Sequence, residues 1–271
     1  MRRSHHLLTS LFLALLLTAC GGGGSSGSTP LNVSAGLYNN TANGDEIVTL
    51  LVNNSSVPSQ TPNWFGIKFT NGNNNPDLYS AFITGFGGST LSGTATKHFQ
   101  GVSSPRTGNA SLTMPLETRL ASNLSFVATS QENASSLSWQ TYQLNIGQYN
   151  YNSTASSLSG TWTGKWYFGL NTSNDKSLVL NQGQVTGSQS VITNCNLENT
   201  QLTAISGVNV YSVTLYITTN TNCTLSSSNT GPTLYKGLAF VTNNPVAGKT
   251  SRLQIMATGT DGKAVFFRGD F

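Results

Sequence analysis

The chain has 271 residues, of which only 8% are charged: 13 Lys and Arg against 9 Asp and Glu, with three His and three Cys. Charges this sparse form no clustered basic footprint able to neutralise a run of phosphates, which argues against nucleic acid as a partner. Ser, Thr and Asn must supply solubility instead, and the length exceeds the usual size of one domain, which favours two.

The first predicted element is an export signal. Met1-Arg2-Arg3-Ser4-His5-His6 is a positive leader, and the apolar run from Leu7 to Leu17 is broken only by Thr9 and Ser10. An apolar stretch of about 7 to 15 residues serves export but is too short for a stable span, which takes about 20. Leu17-Thr18-Ala19-Cys20 follows and resembles the lipobox of bacterial lipoproteins. That resemblance implies cleavage after residue 19, diacylglycerol on the thiol of Cys20 and, usually, an acylated amine, so that the chain's first partner is a membrane. Two or three acyl chains hold firmly where one binds marginally. Similar Gram-negative lipoproteins retained in the inner membrane carry Asp after the cysteine; Gly21 in that place implies the outer membrane, on its periplasmic or its cell-surface face. Residues 20–31 then form the lipidated cysteine and a Gly/Ser tether with no side chain able to build a core. Without Arg2 and Arg3 the basic residues fall from 13 to 11 against 9 acids, a net charge of +2.

Beyond the tether the apolar spacing is that of strands. Short runs alternate with period two and are cut by Gly, Asn, Ser and Pro at intervals of about 8 to 12 residues. In the first half the expected strands are 33–41, 46–53, 64–70, 78–86, 90–99, 110–116, 124–129 and 142–151. Asn43-Gly44 and Asn71-Gly72 supply turn residues between them, and Pro58, Pro62, Pro76 and Pro105 break the ladders. In the second half the expected strands are 160–168, 177–180, 184–192, 197–205, 209–218, 233–241, 252–258 and 264–271. Tyr211, Val213, Leu215 and Ile217 alternate with Ser212, Thr214 and Tyr216, as one buried and one solvated face require. The expected fold class is all-β, with two tandem antiparallel barrels or sandwiches of about eight strands at residues 32–152 and 153–271. Ala35-Gly36-Leu37-Tyr38 is echoed by Ser159-Gly160-Thr161-Trp162, 124 residues on. The echo reads either as a duplication or as a common way to open a β-meander.

After Cys20 the only cysteines are Cys195 and Cys223. Both follow an export signal into an oxidising compartment, and a disulfide between them is expected. No neighbouring His makes a zinc site and no Cys-x-x-Cys motif is present. His98 is the one histidine after the signal peptide, so a Ser-His-Asp arrangement would need it, with Asp77 or Asp45 as the orienting acid. Outside the Gly/Ser tether no Gly-x-Ser-x-Gly elbow accompanies it. Asp45-Glu46 is the one adjacent acid pair, and its place after Asn43-Gly44 is explained by turn polarity. No phosphate cradle, calcium loop or dinucleotide fingerprint is present. The expectation is a non-enzyme without metal or cofactor.

The last residues admit competing readings. Arg268-Gly269-Asp270 matches the integrin-recognition tripeptide, which would suit a surface adhesin, or is merely the end of a strand. Val265, Phe267 and Phe271 resemble the sorting signal of outer-membrane barrels, or close the core of the last strand. A spanning barrel needs strands of about 9 to 11 residues and a lipid-facing apolar belt, and several expected strands are shorter.

The lipobox, the Gly-rich tether, the segment Ser157-Leu158-Ser159-Gly160-Thr161-Trp162-Thr163-Gly164 and the Cys195/Cys223 pair together resemble a group of poorly characterised two-domain proteobacterial lipoproteins, which carries no established activity. The opening of the second domain is also similar to avidin-type barrels, where a Gly-x-Trp strand begins an eight-stranded meander; biotin contacts have no counterpart here. The functional expectation is a lipid-anchored envelope protein that binds a protein or a small ligand. A surface adhesin and a membrane-inserted barrel are the alternatives.

Overall fold

Inward-facing aromatic and aliphatic residues at every second position need a closed surface to bury them, and the chain closes that surface twice. The computed structural model describes residues 31–271 except 43, 72–74, 99–104, 128–132, 145, 169–170, 188, 193, 219–222, 224–231, 244–246 and 260–261. Cys20, the expected signal peptide and nearly all of the expected tether lie outside the described residues.

The first barrel is an eight-stranded antiparallel meander: β1 (Gly36–Ala42), β2 (Asp45–Leu51), β3 (Trp64–Phe69), β4 (Asp77–Thr84), β5 (Thr90–His98), β6 (Arg106–Leu116), β7 (Arg119–Phe126) and β8 (Ser135–Gln143). It closes where Tyr38 pairs with Gln143 and Asn39 with Tyr142. Its interior is filled by Tyr38, Trp64, Tyr79, Leu112, Phe126 and Trp139 among others, with the two indoles stacked at 6.1 Å.

The second barrel runs through β9 (Gly160–Phe168), the two-residue β10 (Asn171–Thr172), β11 (Lys176–Asn181), β12 (Gln184–Val185), β13 (Gln189–Ile192), β14 (Cys195–Ala204), β15 (Val210–Ile217), β16 (Thr233–Asn243), β17 (Ser251–Gly259) and β18 (Ala264–Asp270). It closes through β18 and β9, from Phe266 opposite Tyr167 to Asp270 opposite Thr163. Trp162, Trp166, Tyr211, Leu215, Tyr235 and Phe267 fill it. The alternation along 211–217 is that of the sequence: the odd positions are buried and the even ones half-buried. Of the barrel and sandwich alternatives, the barrel is the fold of both halves.

Three expected elements differ. The eighth strand of the first barrel is Ser135–Gln143, not 142–151. Its core positions are Leu137, Trp139 and Thr141 in an otherwise Ser- and Gln-rich run, so its apolar signal is weak. The more apolar residues after it form a single helical turn, Ile146–Tyr149, in the connection between the barrels. The expected strand 184–192 is two short strands, both on β14, whose own register shifts between Glu198 and Gln201 with Asn199 at φ +46°. Such a bulge opposes two residues to one and bends the strand. Finally, Val265 and Phe267 are fully buried, but Phe271 is 47% exposed and lies over Trp162 at 5.2 Å.

The echoed openings occupy equivalent places. Tyr38 and Trp162 each point inward from the third residue of a barrel's first strand, and each donates to the carbonyl four residues back: Tyr38 to Ser34 at 2.8 Å, Trp162 to Leu158 at 3.0 Å.

Residues 31–271 form one compact unit. A third apolar cluster explains why. Leu50, Phe65 and Ile67, on the outer faces of β2 and β3, pack with Leu238, Phe240, Met256 and Phe266 from the outer faces of β16, β17 and β18. These strands are buried on both sides and so read as continuous apolar runs, as strands covered on two faces do. At one edge Phe69 meets Tyr167 and Phe266 edge-on, both at 5.9 Å. Arg268 lies 4.9 Å over the Phe69 ring while its two terminal nitrogens bond both carboxylate oxygens of Glu46 at 2.5 and 3.0 Å.

Candidate functional site

The structure separates some of the residues singled out in the sequence and joins others. Asp45 and Glu46, adjacent in sequence, serve different partners. Glu46 holds Arg268 of the second barrel, whereas Asp45 accepts from the backbone N–H of Asn71 at 2.9 Å and pairs with Lys68 at 3.0 Å. That hydrogen bond, followed by the one from Lys68, holds the Asp45 carboxyl below its ordinary range. Asp77 stands opposite Lys68 at the start of β4. Neither aspartate orients His98.

His98 lies neither on an open strand face nor in a polar cleft. It is buried where the barrels meet: its Nδ1 is 2.8 Å from the carbonyl of Gly262 in the second barrel, and its Nε2 is 2.8 Å from Ser80 Oγ. A carbonyl only accepts, so Nδ1 carries the proton and Nε2 accepts from the Ser80 hydroxyl. The Ser80 pairing has nucleophile-and-base spacing with a carbonyl in the orienting place, and no local motif announces it, because the three groups come from positions 80, 98 and 262. Ser80 is only 3% exposed; it holds the His98 ring from within the first barrel, and the bond from His98 to Gly262 fastens the two barrels together. Burial pushes the His98 imidazole down to about 4, against the smaller opposing effect of the Gly262 bond. The folded chain therefore resists a proton that the unfolded chain accepts near pH 6.5. Stability is complete above that value and falls as pH drops from 6.5 towards 4, by about 3 kcal/mol in all. Thermal melts across this window are expected to show that slope, and His98→Asn is expected to flatten it; equal slopes in the two proteins would show that other groups carry the acid sensitivity.

Cys195 and Cys223 form a disulfide inside the second barrel, with Cα atoms 5.0 Å apart. Arg268-Gly269-Asp270 sits within β18, paired on one side to β17 and on the other to β9. Arg268 is held by Glu46, and Asp270 takes Arg252 through two bonds of 2.8 and 3.2 Å. The tripeptide is a sheet segment with both charges engaged.

Depressions on the described surface include the following two. One, of about 430 Å³, follows the β14 bulge and is lined by Gln184, Glu198, Asn199 and Gln201 among others. The other, of about 570 Å³, crosses β5 to β8 on the outside of the first barrel. Strand register lays its side chains in rows: Ser136, Ser125 and Asn109 in one, Ser138, Asn123, Ser111 and Ser92 in the next. The side chains of these two rows are short, which leaves the hollow, and each is an uncharged hydroxyl or amide; Gly93, Ala110, Leu124 and Leu137 line it between the rows. The first row continues through Thr94 to Phe82, which is 48% exposed. Sequence reading missed this face because its Ser and Asn residues look like turn and solubility residues until the register aligns them.

Compared with known proteins, the chain matches no family model, no curated sequence and no solved structure.

Proposed function

We propose that this is a non-enzymatic lipoprotein of the Gram-negative outer membrane, anchored through Cys20, whose folded part binds a protein partner on the outside of the first barrel. The contrast between the two sides of β5 to β8 carries the reading. Their inner side is packed with the chain's own Leu, Ala and aromatic side chains, whereas their outer side is an open array of hydroxyls and amides with Phe82 at its end. An ordered uncharged polar face beside an exposed aromatic suits a partner that offers hydrogen bonds and one apolar anchor. The same face favours a solvated barrel over a membrane-inserted one, which would turn an apolar belt outward. A surface-adhesin role would have to use residues other than the engaged Arg268 and Asp270.

Ser111→Arg with Asn123→Arg puts two charges on this face. The double variant is expected to lower in-cell photo-crosslinking to the partner roughly tenfold, a loss of about 1.4 kcal/mol, with the melting temperature little changed. Thr203→Arg on the second barrel is expected to leave crosslinking intact. Equal crosslinking in all three proteins would remove the face from the proposal.

One observation favours a second reading, a small polar guest inside the first barrel. Four of its buried polar atoms, Thr49 Oγ1, Trp64 Nε1, Ser122 Oγ and Trp139 Nε1, have no hydrogen-bond partner among the described residues. Leaving such a group unpaired costs about 1 to 3 kcal/mol. Thr49→Val is expected to raise stability by about 1 kcal/mol where the hydroxyl is unpaired, and to lower it where a guest holds it; chemical denaturation distinguishes the two.

A further inference from the structure

The first described residues are held at a defined place. Leu31 pairs with Met114 near the end of β6, and the N–H of Val33 donates to the carbonyl of Gly88 at 3.0 Å. Two residues beyond Met114, β6 ends at Leu116 and turns through Glu117 and Thr118 into Arg119. Arg119 stands opposite Tyr142 in the β7–β8 register, with its guanidinium 4.9 Å over the tyrosine ring. Strand pairing thus gathers Leu31, Leu116 and Tyr142 at one end of the first barrel, and they are 40%, 53% and 44% exposed.

We propose that this end of the first barrel rests on the lipid surface that anchors the chain. The inference builds on the reading of Cys20 as the lipidated residue. Ten residues lie between Cys20 and Leu31, which makes eleven Cα-to-Cα steps. Eleven steps of fully extended chain reach at most about 40 Å, and a Gly/Ser coil of that length spans about 18 Å on average. The anchor therefore holds the Leu31 end close to the bilayer, at an effective concentration where a few weak contacts suffice. The side chains have the chemistry of the interfacial zone: a tyrosine with an apolar body and a polar tip, two leucines, and an arginine whose stem can lie along apolar surface with its charge in water. Glu117 and Arg119 cancel in charge, so contact rests on buried apolar surface and not on attraction to anionic headgroups. It persists at high salt.

The test uses the full lipidated protein reconstituted on vesicles of phosphatidylethanolamine and phosphatidylglycerol, with Leu116→Cys carrying a polarity-sensitive fluorophore and Thr203→Cys as the control on the second barrel. Flotation with the vesicles reports the anchor, and collisional quenching by aqueous iodide reports the surface. The expected result is flotation together with a blue shift and a several-fold drop in quenching at position 116, at low and high salt alike, with none at position 203. Flotation with position 116 still fully quenched overturns the orientation while leaving the anchor standing. Failure to float overturns the anchor and the orientation with it. Protection at position 116 in Cys20→Ala protein without vesicles, growing with protein concentration, also overturns the proposal, because a second copy then covers the patch.

Discussion

Phe240→Ala is expected to cost about 3 to 5 kcal/mol and to loosen both barrels at once. Phe240 is 1% exposed although it points out of the second barrel, because the outer faces of β2 and β3 cover it. Truncating it removes contacts and leaves a cavity that neither rigid barrel can collapse to fill. Since the cluster belongs equally to Leu50, Phe65 and Ile67 of the first barrel, the loss falls on the cooperative unit and not on one sheet. Amide exchange checks this. Protection in β2 and β3 is expected to fall by the same amount as in β16 and β17, since residues sharing one global opening share its free energy. A loss confined to the second barrel would mean that the shared cluster does not couple the two.

Opening the Cys195–Cys223 disulfide is expected to have the next largest effect. The bridge closes a loop with a sequence separation of 28, which in the chain-entropy model is worth about 3 to 4 kcal/mol. Both sulfurs are buried, and Cys195 begins β14 against the short β13, the part of the second barrel with the least continuous ladder. The double variant Cys195→Ala/Cys223→Ala is expected to melt roughly 10 °C lower than the parent. Reductant should bring the parent down to the variant's value and leave the variant unmoved. A parent that melts at the same temperature with and without reductant would show that the unfolded chain gains little freedom when the bridge opens.

Particular elements show how far the residues alone lead. The strands at 160–168 and 210–217 are plain in the sequence because one face of each is wet and the other dry, and a period of two survives translation into structure unchanged. The strand at 135–143 is hidden because a closed barrel needs only a few large side chains per strand: Trp139 and Leu137 do the filling while Ser and Gln cover the rest. β2, β3 and β16 to β18 carry a signal that alternation overlooks. Runs such as Ile47-Val48-Thr49-Leu50-Leu51-Val52 and Val265-Phe266-Phe267 are apolar at consecutive positions but for Thr49, the mark of strands buried on both faces, and they locate the contact between the barrels.

The candidate site was less legible. The rows Ser136-Ser125-Asn109 and Ser138-Asn123-Ser111-Ser92 come from four strands and exist only once the register is set. The same holds for Ser80, His98 and Gly262, where one hydrogen bond lies within the first barrel and the other, from His98 to Gly262, crosses to the second.

By itself the sequence determined the local matters: an export signal and lipobox ending at Cys20 as an expectation, strands from two-residue periodicity, and two cysteines placed to pair. These depend on neighbours within a few residues, or on there being only one partner to choose. Tertiary structure alone decided that the meanders close as barrels, that the barrels share a core, that His98 is a fastener, and that Arg268 and Asp270 are engaged. Each of those depends on which outer face meets which, a choice made by apolar surface and register summed over whole sheets.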